Sequence, residues 1–102
     1  MILTAHARER WAQRCHGLDF YEELTGSKPA GKRIINLLRR GWERSQGVGT
    51  WPAHHDYRVS PNGVVFVIRG GDTVVTAMTV RDIKRWDVKR CADDRLKKKR
   101  AL

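Results

Sequence analysis

Cysteine is scarce in this chain. Only Cys15 and Cys91 occur, and neither sits in a CxxC pair. Two thiols are too few for a disulfide scaffold, so both read as free thiols in a reducing, cytoplasmic setting. Long apolar runs are missing as well. No stretch approaches the roughly 20 apolar residues that a membrane span needs, so no membrane partner is expected. The opening Met1-Ile2-Leu3-Thr4-Ala5-His6 is too short, and too soon followed by charge, to read as a signal peptide. Acidic residues are in short supply: 11 Asp and Glu stand against 21 Lys and Arg, a formal charge of +10. Such an excess opposes compaction through self-repulsion. Its common use is attraction to a polyanion, where each neutralised phosphate releases a counterion. There is no internal repeat and no linker. With 102 residues, 40% of them hydrophobic, the chain fits one domain with one modest core and no cofactor held between two lobes.

What is present divides into a helical part over 1–41, an antiparallel sheet over 55–80 and a basic tail over 81–102. Thr4 suits an N-cap, and Ala5 to Cys15 has helical character, stopped by Gly17. Ala7, Trp11 and Cys15 are spaced by four and form an apolar stripe. His6, Arg10 and Arg14 are also spaced by four and form a polar stripe beside it. Asp19 to Leu24 suits a short helix. Pro29 then suits the first turn of another, running to Arg40 with Gly41 as its stop. Ile34, Leu37 and Leu38 supply its buried face; Lys32, Arg33, Arg39 and Arg40 supply its wet one. Residues 42–53 read as a loop, broken by Gly47, Gly49 and Pro52. Tyr57 to Ser60 reads as a strand, Pro61-Asn62-Gly63 as a turn, and Val64 to Arg69 as a central strand without polar alternation until its end. Gly70-Gly71-Asp72 turns the chain into a third, β-branched strand from Thr73 to Val80. The tail from Arg81 suits a helix, with Ile83 and Trp86 packing back on the sheet and Lys97-Lys98-Lys99-Arg100 fraying. The fold class is therefore α+β, with N-terminal helices followed by a curved antiparallel meander of at least three strands.

Several motifs bear on chemistry. Residues 26–32 match G-x-x-x-x-G-K, but Arg33 stands where a phosphate-binding loop needs Ser or Thr for Mg²⁺, so they read as a loop and a helix start. The histidines are His6, His16, His54 and His55. His54 and His55 are adjacent, so on a strand they point to opposite faces; Cys15-His16 has the same defect, and no HExxH is present. No metal site is expected. His6 stands near a helix start beside Arg10, where a neutral imidazole near pH 7 is what a general base needs. His54, His55 and Tyr57 lie at the start of the first strand, suited to acid catalysis or to stacking on bases. Four tryptophans are many for this length: Trp11 and Trp86 fit a core, and Trp42 and Trp51 flank the Gly-rich loop, partly exposed. Basic residues interleaved with aromatics suit single-stranded nucleic acid. Arg14, Lys32, Arg33, His54, His55 and Arg58 are the candidate nucleic-acid-binding residues.

The opening Ile2-x-Thr4-x-His6-Ala7-x-Glu9-Arg10 is similar to the I-T-x-H-A-x-E-R start of a set of small bacterial, phage and toxin-module domains. Gly63-Val64-Val65-Phe66-Val67 and Thr73-Val74-Val75-Thr76 resemble the last two strands of that group, which often end in V-V-T-V-Y. The group belongs to the barnase–EndoU–colicin–RelE superfamily of endoribonuclease-like folds. This chain departs from the pattern where it reads Thr76-Ala77-Met78-Thr79, without the terminal Tyr, and in the insertion from 26 to 55. The resemblance implies N-terminal helices before a curved antiparallel sheet, and metal-independent cleavage of RNA by its own 2′-OH. Under it, His6 is base or acid, Arg10 and Arg69 hold the phosphate, Thr76 hydrogen-bonds a phosphate oxygen, and His54 or His55 is the second proton carrier.

Two function classes follow. One is a small endoribonuclease or RNA-targeting, toxin-like protein, free in a bacterial cytoplasm or carried by a phage into its host, with an antitoxin or a host protein as a possible partner. The other is a non-catalytic binder on the same fold, holding RNA or DNA on its basic face or blocking a host protein. A purely protein-binding regulator is a third reading, and it predicts little salt dependence.

Overall fold

A computed structural model describes residues 2–15, 17–52 and 54–100, with side chains described for residues 2–15, 17–52, 54–89 and Ala92. His16, the Cys91 thiol and the Lys97–Arg100 side chains lie outside that set. The chain is α+β. In order it forms β1 (Ile2–Leu3), α1 (Ala5–Arg14), α2 (Phe20–Thr25), β2 (Lys28–Pro29), α3 (Lys32–Gln46), β3 (Asp56–Val59), β4 (Val64–Arg69), β5 (Thr73–Thr79) and α4 (Val80–Arg100). The five strands make one sheet in the order β1-β5-β4-β3-β2. The β3-β4-β5 meander is antiparallel, β2 joins its β3 edge antiparallel, and β1 joins β5 in parallel.

Local chemistry explains most of these elements. Ala, Arg, Glu and Gln dominate α1, and all are good helix formers. Thr4 caps it, its hydroxyl accepting from the Ala7 N–H at 3.0 Å and so satisfying one of the unpaired donors of the first turn. Asp19 caps α2 in the same way through the Glu22 N–H at 3.0 Å, and Glu22 and Glu23 in its first turn suit the positive end of the helix dipole. The β3–β4 connection closes when the Gly63 N–H donates to the Ser60 carbonyl at 2.9 Å. Gly63 has φ +80°, a left-handed conformation that glycine adopts without steric cost. From β5 the chain runs straight into α4. The Thr79 hydroxyl accepts from the Asp82 N–H at 3.1 Å, and the Val80 N–H donates to the Gly63 carbonyl.

The sheet is covered by helices on both faces. On one face Ala7 and Cys15 pack with Val64, Phe66, Ile68, Val74 and Ala77, backed by Trp11, Leu18, Phe20 and Leu24 from α1 and the α2 region. Trp11 stacks on Phe66, and Phe20 meets both rings edge-on, geometries that add to simple area burial. On the other face Leu37 of α3 and Ile83 of α4 close over Val65, with Ile34, Leu38, Val59, Met78 and Val80 around them.

Several expectations need correction. Pro29 lies in edge strand β2 rather than in a helix, a place where its missing N–H costs nothing. Gly41 does not stop α3. The helix continues through 42–46, supported by the Arg39–Glu43 ion pair at 2.7 Å, and ends at Gly47, whose φ of +107° leaves the helical region. Val80 opens α4 instead of closing β5, and α4 runs from there through Arg100. Both β1 and β2 are added to the meander, so a strand precedes the first helix and another separates α2 from α3.

Candidate functional site

The helices α3 and α4 cover the sheet where Val59, Val65 and Met78 meet. Beside that cluster the same face opens into a cleft of about 710 Å³. Its floor is Val67, Val75, Thr76 and Tyr57; its walls are the polar stripe of α1, the last two turns of α3, the loop through Trp51 and Pro52, and Trp86 of α4.

A bulge in β5 shapes the floor. Val67 pairs with Thr76 and Ile68 with Val74, which leaves Val75 as an extra residue. Bulges bend a strand and re-aim its side chains; here consecutive Val75 and Thr76 both line the cleft, while Val74 and Ala77 on either side enter the opposite core. The start of α1 is tied to this bulge. The Thr4 hydroxyl donates to the Val75 carbonyl at 3.2 Å and the Thr4 N–H to the Val74 carbonyl at 3.2 Å. His6, two residues on, is thereby held at the cleft, and Arg10 and Arg14 follow on the same helical stripe.

Arg14 is the most fixed of these cations. It donates to the Ala77 carbonyl at 3.4 Å, and its guanidinium lies over the Trp86 ring, 4.9 Å from the centroid. Burial, and then the neighbouring Arg10 charge, hold its pKa below the ordinary value, against the opposing pull of Asp82. An arginine remains charged under such shifts, so two like charges one helical turn apart face the cleft, each stabilised by an arriving anion. Arg10 also donates to Gln13 at 2.8 Å. None of the described residues lining the cleft is an aspartate or a glutamate.

The opposite wall is aromatic. Trp51 stacks on Tyr57 with centroids 4.9 Å apart and planes 13° apart. The Tyr57 hydroxyl donates to the Pro52 carbonyl at 3.1 Å, and burial pushes its pKa up to about 12, so the phenol stays neutral. Trp42 donates its indole N–H to the carbonyl and hydroxyl of Thr50, both at 3.0 Å. His55 lines the cleft next to these rings. Its pKa is lowered by burial first, then by His54 and by Arg69, which favours the neutral imidazole a general base requires.

The candidate residues therefore separate. His6, Arg10, Arg14, Thr76 and His55 share the cleft. Arg69 ends β4 opposite Thr73; it is exposed and does not line the cleft, acting on it through its charge on His55. His54 is exposed, its ring 4.6 Å from that of His55 in a turn rather than on a strand. Their expected opposition across a strand does not hold. Lys32 opens α3, exposed, at the end away from the cleft. Arg33 lines a separate groove between the outer faces of α3 and α4. Arg58 pairs with Phe66 and so points to the opposite side of the sheet, where its guanidinium is committed to the Ser27 hydroxyl at 2.9 Å and carbonyl at 2.6 Å.

Trp86 is 38% exposed and serves the cleft instead of the core. Its spacing of three from Ile83 placed it on a buried face by periodicity, and only the Arg14 contact reveals its position. The tether by Thr4 and the bulge at Val75 carry no local sequence signal beyond the cap itself. Among the described residues no group of three His, Cys, Asp or Glu can hold a metal ion, and no helix is long and apolar enough to cross a membrane. Comparison of the chain with protein-family models, with curated proteins and with solved structures finds no match.

Proposed function

We propose that this protein is a metal-independent endoribonuclease whose active site is the cleft between α1 and the Trp51 loop. The observation that carries the reading is the meeting of two imidazoles, His6 and His55, with the Arg10–Arg14 pair and Thr76 in one cleft free of lining carboxylates. Cleavage of RNA by its own 2′-OH needs a base, an acid and cations at the phosphate. His55, kept neutral by its surroundings, takes the 2′-OH proton. The freed oxygen bonds to the adjacent phosphorus, and the bond to the 5′-oxygen breaks. His6 gives its proton to that leaving oxygen. Arg10 and Arg14 balance the charge on the phosphate, and Thr76 donates a hydrogen bond to it. The products are a 2′,3′-cyclic phosphate and a 5′-hydroxyl. The likeness of the opening and of the last two strands to the barnase–EndoU–colicin–RelE group supports the same chemistry. A toxin-like role in a bacterial or phage-infected cytoplasm, checked by an antitoxin or host protein, accords with it.

The test is incubation of the purified protein with RNA in EDTA. Wild type should cut and leave cyclic phosphate ends. His6→Ala should lower the rate by about 10²- to 10⁴-fold, the usual contribution of a proton carrier, with an unchanged melting temperature. The acidic limb of the rate profile should fall below pH 6.5, the ordinary imidazole value, because His55 holds off its proton to lower pH. His54→Ala should move that limb up towards 6.5. Intact RNA under all conditions overturns the catalytic reading. It would favour a non-catalytic binder of nucleic acid, which the aromatic wall and the absent terminal Tyr also suit.

A further inference from the structure

We infer that the cleft takes unpaired stretches of RNA with little regard to which bases they carry; this rests on the reading of the cleft as a nucleic-acid site. Base identity is read by hydrogen bonds to base edges, whereas stacking tolerates every base because each has a π face. Several of the neutral hydrogen-bonding groups at this cleft are engaged with the protein itself. The Trp42 indole N–H is held by Thr50, the Tyr57 hydroxyl by the Pro52 carbonyl, and the Gln46 amide donates to the Ser45 hydroxyl at 3.1 Å. What the Trp42 and Tyr57 rings offer an incoming base is therefore mainly faces and apolar edges. Of the floor beneath, Val67 and Val75 are apolar and add contact without selection, and the Thr76 hydroxyl is the group assigned to the phosphate. The charged groups, Arg10 and Arg14, suit phosphates, which every nucleotide carries alike.

The same arrangement selects against duplexes. Paired and stacked bases present neither face to a tryptophan, and an A-form helix displays only its backbone and a shallow groove. A base reaches the stacked Trp51–Tyr57 pair only when it is already free of its neighbours. Insertion from a duplex would carry the added cost of unstacking and unpairing, a few kcal/mol.

The experiment uses the full chain carrying His6→Ala, so that substrate survives. Quenching of tryptophan fluorescence is measured with U, A and C oligoribonucleotides of roughly twelve residues and with a duplex of the same length, since single-strand sites span about 4–16 nucleotides. The three single strands should bind within about threefold of one another, and the duplex at least about tenfold more weakly. Trp51→Ala should weaken all three by a similar factor of about tenfold or more, and Trp51→Phe should restore most of it by keeping a stacking face. A preference above about tenfold for one base, equal binding of the duplex, or no effect of Trp51→Ala overturns the inference. Wild-type cleavage separates the two ideas. Cutting that is strongly base-specific leaves the nuclease reading standing and removes this one, whereas base-indifferent binding without cutting does the reverse. Binding to none of the oligonucleotides removes both.

Discussion

Along β4, Val64, Phe66 and Ile68 point to the side of α1 and α2, and Val65 and Val67 to the side of α3 and α4. The first side is closed. Its aromatic trio and aliphatic residues are packed with Cys15, a thiol that burial pushes up to about 11 and so keeps unreactive. The second side is closed only where Leu37 and Ile83 meet the sheet, and is left open over Thr76 and Val75. Strand alternation thus gives one surface to stability and half of the other to cations, imidazoles and aromatic faces. The polar stripe of α1 belongs to the second use although its neighbouring stripe, one residue on, belongs to the first.

The largest test of that division compares two substitutions on adjacent strands. Phe66→Ala removes the centre of the closed face, where Phe66 is fully buried, and should cost about 3–5 kcal/mol of unfolding free energy in a denaturant titration. Thr76→Ala, on the open face, should cost no more than about 1 kcal/mol, the range of strand propensity. Its effect should fall on RNA cleavage. Similar losses of stability from both would mean that the open face is also a folding core, and the division would collapse.

A smaller effect lies at the joint between the faces. Thr4 caps α1 and also bonds to the bulge carbonyl of Val75. Thr4→Ala should cost about 1–2 kcal/mol for a lost cap and a lost net hydrogen bond. It should also lower the rate of cutting by more than the stability loss explains, because His6 loses its anchor. Thr4→Ser keeps the hydroxyl and should restore both. If Thr4→Ala lowers stability and leaves the rate untouched, helix packing alone positions His6.

How much of this was legible follows the same line between local and distant causes. The Thr4 cap, the two stripes of α1 and the bounds of β4 from Val64 to Arg69 are signals carried within a few residues, and they match the structure. The spacing of His6, Arg10 and Arg14 was enough to put all three on one surface. Their meeting with Thr76 and His55 was not readable, since it depends on a bulge that skips Val75 in a uniformly β-branched run. The strands β1 and β2, two residues each, exist only through their partners β5 and β3. The run of α3 past Gly41 was hidden because a helical glycine costs about 1 kcal/mol relative to alanine. Tertiary and i,i+4 contacts of Arg39, Trp42 and Leu38 outweigh that cost. Arg58 reads from sequence as a nucleic-acid-binding candidate because nothing near it in the chain announces its bonds to Ser27.

The smallest expected effect concerns what holds the far wall of the open face. Arg40 of α3 and Asp87 of α4 form an ion pair at 3.0 Å, with Arg40 side-chain exposure of 61%. Pairs so exposed to water contribute about 0–1 kcal/mol. The apolar contact of Leu37 and Ile83 beneath it, both almost without exposed surface, should therefore set the position of α4, and with it Trp86 over Arg14. A double-mutant cycle with Arg40→Ala and Asp87→Ala should give a coupling under about 1 kcal/mol, with cleavage little altered by either change. A coupling well above that, together with a loss of activity at high salt in excess of the loss of RNA affinity, would mean that an electrostatic clamp holds the wall. The open face would then be shaped by charge on its outside as well as within, and its contrast with the closed face would be one of forces as much as of packing.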